Sequence, residues 1–410
     1  MKKNQPTLRC RQTGLSLIEL MVALLISLLV SIGILQIFSA SRATYQMQDG
    51  LSRVQESGRY AIQYLQRQMR MVGYMGCGAD TERTTQASFV NHLATYSATV
   101  PGGDAVDPLY RFQRPIEAFS ADALPSDLTA LNLRAVAGTD VLVLRTVSEE
   151  SVPVISIART AGNLGLNVAV VAADVSTVFG AQVNGNPVVY ALQNCRSADV
   201  FVGTLNTATV SAIGNAAPNV YLDPTVTDCN PTGNCPWDFR ISNVFLNASH
   251  GGPAPTEPQL NAELHRAEYT VLYVRPNPNN IPSLYMLRFK RDSASDLDDP
   301  QELAEGIENL QARFGVDTTG DGQVDSYKSA ADVNSGSTGA ALDERWRNVL
   351  SVRVGLVVRS PERAGVSAVD GAGDPRTLTL LGTLITPLDD GMMRQVYETT
   401  ISLRNRLFNS

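Results

Sequence analysis

The chain has 410 residues, of which 44% are hydrophobic, and a formal net charge of -7. This length allows two or three domains with a sizeable core, while the acidic balance argues against a nucleic-acid-binding protein. One long apolar run near the N-terminus argues against a multi-span membrane protein.

The first fourteen residues form a basic leader with four Lys or Arg residues and no acid. Positive charge before a membrane span keeps that end in the cytoplasm. The chain after Arg42 is therefore predicted to lie on the opposite, extracytoplasmic side of the membrane. Removal of these four positive charges would take the net charge from -7 to -11.

An uncharged apolar segment follows the leader, from Leu20 to Ser41. A bilayer is crossed by about 20 such residues, so this segment predicts a transmembrane helix. Glu19 lies at its start, and because an acid at mid-membrane costs ~3 kcal/mol, Glu19 needs a partner. The alternatives are a plain signal anchor, or a signal peptide cut near Ala40, with Glu19 reaching toward the interface.

The sequence around Glu19, from Gly14 through Leu-Ser-Leu-Ile-Glu-Leu-Met-Val-Ala, resembles the class III signal of type IV pilins and type II secretion pseudopilins. This resemblance implies that a prepilin peptidase cuts between Gly14 and Leu15 and that the new amine on Leu15 is methylated. It also implies that Glu19 pairs with the Leu15 amine, or with a neighbour's terminus, during assembly.

Beyond the membrane the helix is predicted to continue to about Val72, because small and apolar residues recur every three or four positions. Gly73, Gly76 and Gly78 indicate where it stops. The predicted stripe consists of Leu51, Val54, Gly58, Ala61, Leu65, Met69 and Val72.

Residues 77–265 are poor in charge and predict a β-rich module, with short strands at Asp140–Thr146, Val168–Ala172 and Asp199–Val202. The mature chain keeps four cysteines in an extracytoplasmic compartment, which predicts two disulfides. The turn-rich spacing favours Cys229 with Cys235, leaving Cys77 with Cys195, although three connectivities remain open. A zinc site is the competing idea, but there is no C-x-x-C spacing.

The C-terminal region predicts an antiparallel sheet packed on the N-terminal helix. Two alternating runs flank residues 276–280 as a hairpin, and a short helix is predicted from Asp299 through Ile307, where an N-cap, a proline and an acid occur in order. Further strands are predicted at Leu310–Val316, Val352–Val358 and Gln395–Leu403.

The segment Asp317–Asp325 has oxygen ligands at the spacing that begins an EF-hand calcium loop. Position twelve is Lys328 instead of glutamate, so only a shorter calcium loop is predicted. An Asp-Gly hairpin turn is the alternative. The predicted ligands are Asp317, Thr319, Asp321, Gln323 and Asp325.

The stretch from Leu303 to Gly322 and the terminal run from Arg394 to Arg406 resemble the PilW minor pilin family. This resemblance implies a low-abundance pilin that helps to initiate a type IV pilus at or near its tip. Its implied partners are other minor pilins, the major pilin, a tip adhesin, the prepilin peptidase and the inner membrane.

The fold expected from these features is α+β and pilin-like, with a long N-terminal helix on an antiparallel sheet and a large β-rich insertion. The expected divisions are a leader at 1–14, a membrane half of the helix at 15–41, a periplasmic half at 42–76, the insertion at 77–265 and the sheet domain at 266–410.

No nucleophile elbow, HExxH pair or P-loop is present, so the expected role is structural and not enzymatic. Calcium is the cofactor expected. The alternative functions are a J-type pseudopilin of type II secretion and a membrane-tethered, calcium-dependent binding module.

Overall fold

A computed structural model describes residues 16–74, 88–91, 93, 111–159, 166–170, 178–179, 187–194, 197–206, 209–212, 263–288, 298–336, 338–366 and 376–403. The processing residues Gly14 and Leu15 lie outside the described residues. The same holds for the four cysteines of the predicted disulfides: Cys77, Cys195, Cys229 and Cys235.

The first helix, α1, spans Leu17–Met71 without interruption and is about 80 Å long at 1.5 Å per residue. Its long N-terminal half is exposed and its C-terminal half lies on the body of the protein. The predicted continuous helix is confirmed to within two residues at each end.

The buried stripe of α1 begins one residue earlier than predicted. Gly50 is buried and Leu51 is 38% exposed, whereas the other six predicted residues are buried. The cause is close packing: a Cβ added at Gly50 would lie 3.1 Å from the Cβ of Ala364. The absence of a side chain at Gly50 thus lets the loop at Ala364 approach the helix, and Leu51 lies to one side of that contact.

The larger sheet contains ten strands: β1 Ser88–Asn91, β2 Ile116–Ser120, β3 Asp140–Arg159, β4 Leu166–Val170, β5 Pro187–Asn194, β6 Ser197–Asn206, β7 Thr209–Ala212, β8 Glu263–Pro276, β9 Pro282–Arg288 and β10 Gln301–Glu305. Their order is β10-β9-β8-β5-β6-β7-β4-β3-β2, with β1 parallel to β6 and every other pair antiparallel. Because β3 also pairs with β8, six strands (β3, β8, β5, β6, β7 and β4) close into a ring.

The smaller sheet has the order β12-β11-β13-β16 and is wholly antiparallel. Its strands are β11 Ile307–Val316, β12 Ser326–Lys328, β13 Val349–Arg363 and β16 Met392–Ser402; a separate hairpin is formed by β14 Leu378–Leu380 and β15 Thr383–Ile385. Three short α-helices, together with a 3-10 helix at Ala121–Ala123, complete the described structure: α2 Ser126–Ala130, α3 Ala330–Asn334 and α4 Ala340–Arg347. The strands predicted in this region, and the hairpin around residues 276–280, are confirmed.

The helix predicted from Asp299 through Ile307 is wrong, because Gln301–Glu305 is strand β10 and pairs with β9. Glu302, expected as a capping acid, instead accepts a hydrogen bond at 3.1 Å from the side chain of Asn277. Gly306, with φ of +84°, turns the chain directly into β11. Local capping signals were overridden here by an available sheet edge.

One core joins α1 to both sheets. Alternate residues of β3 face opposite sides: Leu142 and Leu144 lie in the core beneath α1, whereas Val141 and Val143 lie in a second core on the other face. The first core also receives the inward residues of β11 and β13, and Trp346 of α4 packs edge-on against Phe314, with ring centroids 4.9 Å apart. The protein is therefore α+β, with a long N-terminal helix held on antiparallel sheets.

Candidate functional site

The most unusual surface of the molecule is the N-terminal half of α1. Its large apolar side chains, from Leu17 to Phe38, are 45–79% exposed. Among the described residues, α1 is the one helix long and apolar enough to cross a membrane, and no part of its most apolar window is buried. A continuous apolar surface of this size requires lipid or other helices around it.

Glu19 is held at the start of this surface by a capping box. The backbone N–H of Glu19 donates to Oγ of Ser16 at 3.2 Å, and the backbone N–H of Ser16 donates to Oε2 of Glu19 at 3.3 Å. The positive end of the helix dipole favours a carboxylate at this position. The predicted pairing of Glu19 with the amine of Leu15 stays a prediction, because Leu15 is outside the described residues.

The exposed and buried halves of α1 form one element. The uncharged run ends at Ser41, and the first buried residue after it is Gly50. From there the helix is tied to the body by side chains: Gln66 Nε2 donates to Thr399 Oγ1 at 2.9 Å, and Tyr397 Oη donates to the Val54 carbonyl at 3.4 Å. A displacement of the apolar half is therefore transmitted to the body.

The predicted calcium loop is folded as a hydrogen-bonded turn. Asp317 accepts from the backbone N–H groups of Thr319, Gly320 and Gly322 at 3.2, 2.6 and 2.8 Å. Asp325 Oδ2 accepts from the backbone N–H and the hydroxyl of Thr318 at 2.7 and 2.6 Å.

These bonds also favour the ionised forms of Asp317 and Asp325. Desolvation disfavours the ionised form of Asp317, but the three backbone donors outweigh it and hold its pKa below the usual range. Hydrogen bonds from Thr318 likewise lower the pKa of Asp325.

The carboxylates of this loop bond to backbone groups of the loop itself. In the part of the chain that the structure describes, no cluster of three or more His, Cys, Asp or Glu side chains is placed to hold a metal ion. Asp321 Oδ1 accepts from the backbone N–H of Gln323 at 2.8 Å. Binding of calcium by the predicted ligands stays a prediction.

A buried ionic cluster gave no signal in the sequence. Glu117 of β2 is fully buried; its Oε1 lies 2.6 Å from Arg114 Nη1 and its Oε2 lies 2.5 Å from Arg145 Nη2. Burial alone would raise the pKa of Glu117, but Arg145, Arg114 and Arg111 hold it below its ordinary value. The cluster continues through Arg114 to Asp343 of α4, so it joins the large sheet to that helix. Arg145 and Asp343 are distant in sequence from Arg114 and Glu117, and only the fold brings them together.

Comparisons with known proteins match two parts of the chain, the N-terminal segment that contains Glu19 and the C-terminal region. Residues 271–405 match the family model for type IV pilus-assembly protein W, and residues 9–35 match the prokaryotic N-terminal methylation motif. A search of curated proteins gave no match. A type IV-like pilin from Thermus thermophilus is similar over 34% of this chain and 69% of its own, with 15% identity and a TM-score of 0.21, which supports no argument by itself. The C-terminal third of the chain is therefore similar to type IV pilus-assembly protein W, and its N-terminus carries a prepilin-type methylation motif.

Proposed function

We propose that this chain is a minor pilin that is cleaved between Gly14 and Leu15, held in the inner membrane by α1, and then drawn into a type IV pilus at or near its tip to help initiate assembly. Its role is structural and involves no catalysis. The observation that carries this proposal is the fully exposed apolar half of α1, which is continuous with a folded body.

The apolar half of α1 supports both stages of this pathway. In the membrane its side chains contact lipid, and in a fibre they contact the helices of other pilins, so the apolar surface stays out of water throughout. Transfer between the two environments is then decided by polar groups, and Glu19 is the one carboxylate adjoining the run.

Glu19 becomes favourable in the fibre when it meets an ammonium group. A carboxylate in an apolar helical array is costly, and a neighbouring subunit's terminal amine would offset that cost while fixing the axial register. The partners under this proposal are other minor pilins and the major pilin through α1, with a tip adhesin beyond the body.

A minor and not a major pilin is favoured by the size and composition of the chain. Residues 42–410 are a far longer segment than the body of a major pilin, and position 36 is Gln, where major pilins usually carry proline. A subunit of this bulk fits a fibre end, where a low copy number suffices.

The test replaces Glu19 and follows the chain into fibres. Glu19→Ala and Glu19→Lys are expected to lower the amount of this protein in sheared pili by about tenfold or more, because the fibre loses its ion pair, while the amount in the membrane fraction stays at the wild-type level. Immunoblots of the two fractions measure both quantities.

Glu56→Ala is the matched control, because Glu56 is an exposed glutamate on the same helix outside the apolar run. Normal fibre incorporation of both Glu19 variants would contradict the proposal. Mass analysis of fibre-associated protein should give a chain that starts at Leu15. Absence from sheared pili, together with a secretion defect on deletion, would favour a J-type pseudopilin.

A further inference from the structure

The outward face of the small sheet carries two arginines directly opposite each other. Arg313 of β11 and Arg353 of β13 are register partners, and Thr400 of β16 is the partner of Arg353 on its other side. The three residues therefore form one row across the sheet, on the face opposite α1. Like charges in this arrangement repel each other unless an anion lies between them.

This row is the floor of a groove with a volume of about 820 Å³. Tyr327 of β12 forms one wall and the β14–β15 hairpin forms the other. The hairpin approaches the sheet at Gly355, where an added Cβ would lie 2.6 Å from Cδ1 of Leu380. The groove thus crosses the strands and is closed on two sides by fixed elements.

Both guanidinium groups are held in place before any ligand arrives. Arg313 Nη1 donates to the Ala312 carbonyl at 2.9 Å and its Nη2 donates to Thr383 Oγ1 at 2.8 Å. The guanidinium carbon of Arg353 lies 3.8 Å from the centre of the Tyr327 ring. Pre-oriented groups lose little conformational entropy when they bind.

Within the described chain no direct ion pair neutralises the two arginines of the floor, although Asp140 and Asp332 lie near enough to Arg313 for its charge to favour their ionised forms. Neither Arg313 nor Arg353 forms an ion pair with a carboxylate of a described residue. Glu398 is the one acid in the lining, and its Oε1 accepts a hydrogen bond from the backbone N–H of Leu381 at 2.8 Å, which ties it to the hairpin.

We propose that this groove binds an acidic segment of a partner polypeptide, whose carboxylates lie between the guanidinium groups of Arg313 and Arg353. Guanidinium forks match carboxylates in geometry and charge. The groove is much larger than a single oxyanion, and Tyr327 and Leu381 add apolar contact while the threonine hydroxyls can bond to a peptide backbone. These features favour an extended peptide over a free phosphate. The inference does not depend on the role of α1.

The test uses the full chain in detergent and a fluorescein-labelled hexaglutamate peptide, with binding followed by fluorescence anisotropy. The wild type is expected to bind, and binding should weaken as salt is added. Arg313→Gln and Arg353→Gln should each weaken binding by about tenfold, which corresponds to ~1.4 kcal/mol, and the double variant should abolish it.

Arg363→Gln is the matched control, since Arg363 is an exposed arginine of the same strand that does not line the groove. Arg353→Lys keeps the charge but loses the guanidinium fork, so it is expected to bind more tightly than Arg353→Gln and less tightly than the wild type, which guards against a folding defect in the glutamine variant. Melting curves of every variant provide the second check. The proposal is overturned if the wild type does not bind hexaglutamate, if hexaglutamine binds equally well, or if the double variant binds like the wild type. Displacement of the peptide by an equal concentration of inorganic phosphate would also overturn it, in favour of a small-anion site.

Discussion

Asp317 illustrates how one residue type serves two different structures. Its two carboxylate oxygens accept three backbone N–H groups within the loop, so a side chain predicted to bind calcium also holds the turn between β11 and β12. An aspartate that bonds to the backbone a few residues ahead is a common way to stabilise a turn. The spacing of acids and glycines in Asp317–Asp325 is compatible with both uses, and sequence alone does not separate them.

Replacement of Asp317 tests the turn. Asp317→Ala is expected to lower the melting temperature at neutral pH, because three backbone donors lose their acceptor. Since the folded pKa of Asp317 is below its unfolded value, its contribution is present above the unfolded pKa and is lost as the pH falls through the folded pKa. The difference from wild type should therefore shrink in acid. Thermal melts across a pH series measure it.

Two additions complete that experiment. Asp321→Ala is the control, because Asp321 accepts one backbone bond within the loop, from Gln323, and should cost less. Calcium or a chelator should leave the wild-type melting temperature unchanged if the turn is purely hydrogen-bonded. A calcium-dependent rise that is lost in Asp317→Ala would instead establish the calcium site predicted from the sequence.

The residues of the proposed peptide groove lie beyond what sequence reasoning reaches. Glu19 could be identified because its significance comes from its place in the chain, next to an uncharged run. Arg313 and Arg353 are forty positions apart, and they become neighbours only through the register of β11 with β13. Nothing in the sequence around either arginine indicates that the other lies beside it.

At the scale of elements, periodicity predicted α1 and the strands of the small sheet because each has one consistent buried face. It failed at Gln301–Glu305, where local signals resembled a helix start and the edge of β9 decided the outcome. It also misplaced the start of the buried stripe, since the contact at Gly50 depends on the loop at Ala364. Long periodic elements are predictable in this chain, whereas short ones depend on partners.

The contact between α1 and β16 depends on Gly58. A Cβ at this position would lie 2.4 Å from Cε2 of Tyr397, so the helix and the tyrosine ring could not keep their present separation. Alanine gains about 1 kcal/mol of helix propensity over glycine, but overpacking typically costs ~1–3 kcal/mol. Gly58→Ala is therefore expected to destabilise the body by about 1 kcal/mol in chemical denaturation.

A control for this change exists on the same helix. Gly33 has no atom within 4 Å of an added Cβ, so Gly33→Ala should leave the stability of the body unchanged. The loss should also be relieved when Tyr397→Ala is combined with Gly58→Ala, which a double-mutant cycle would reveal as favourable coupling. Equal stability of Gly58→Ala and wild type would show that Tyr397 moves aside without cost.

At the scale of the whole molecule, the large sheet unites distant parts of the chain. The middle and C-terminal segments were expected to divide at residue 265, but β8 runs across that point and pairs with β3 and β5. More than a hundred residues separate β3 from β8, so their pairing carries no local signature in the sequence. As a result, the C-terminal half of α1 packs against a single continuous body.

Because α1 is continuous, its segment between the apolar half and the body connects the two rigidly. Tyr45 is 70% exposed and lies between the end of the uncharged run at Ser41 and the first buried position at Gly50. Tyr45→Pro would remove one helical hydrogen bond and clash with the preceding turn, at a cost of ~3 kcal/mol, in a segment after the uncharged run and before the first buried residue of α1. We expect the variant to insert in the membrane and to melt like the wild type, but to be depleted from sheared pili, because a bent or loosened junction no longer holds the body in register with a helix docked in the fibre. Tyr45→Ala keeps the helix and should be incorporated normally. If Tyr45→Pro reaches fibres at the wild-type level, continuity of α1 is not required for assembly and the two halves act as independent modules.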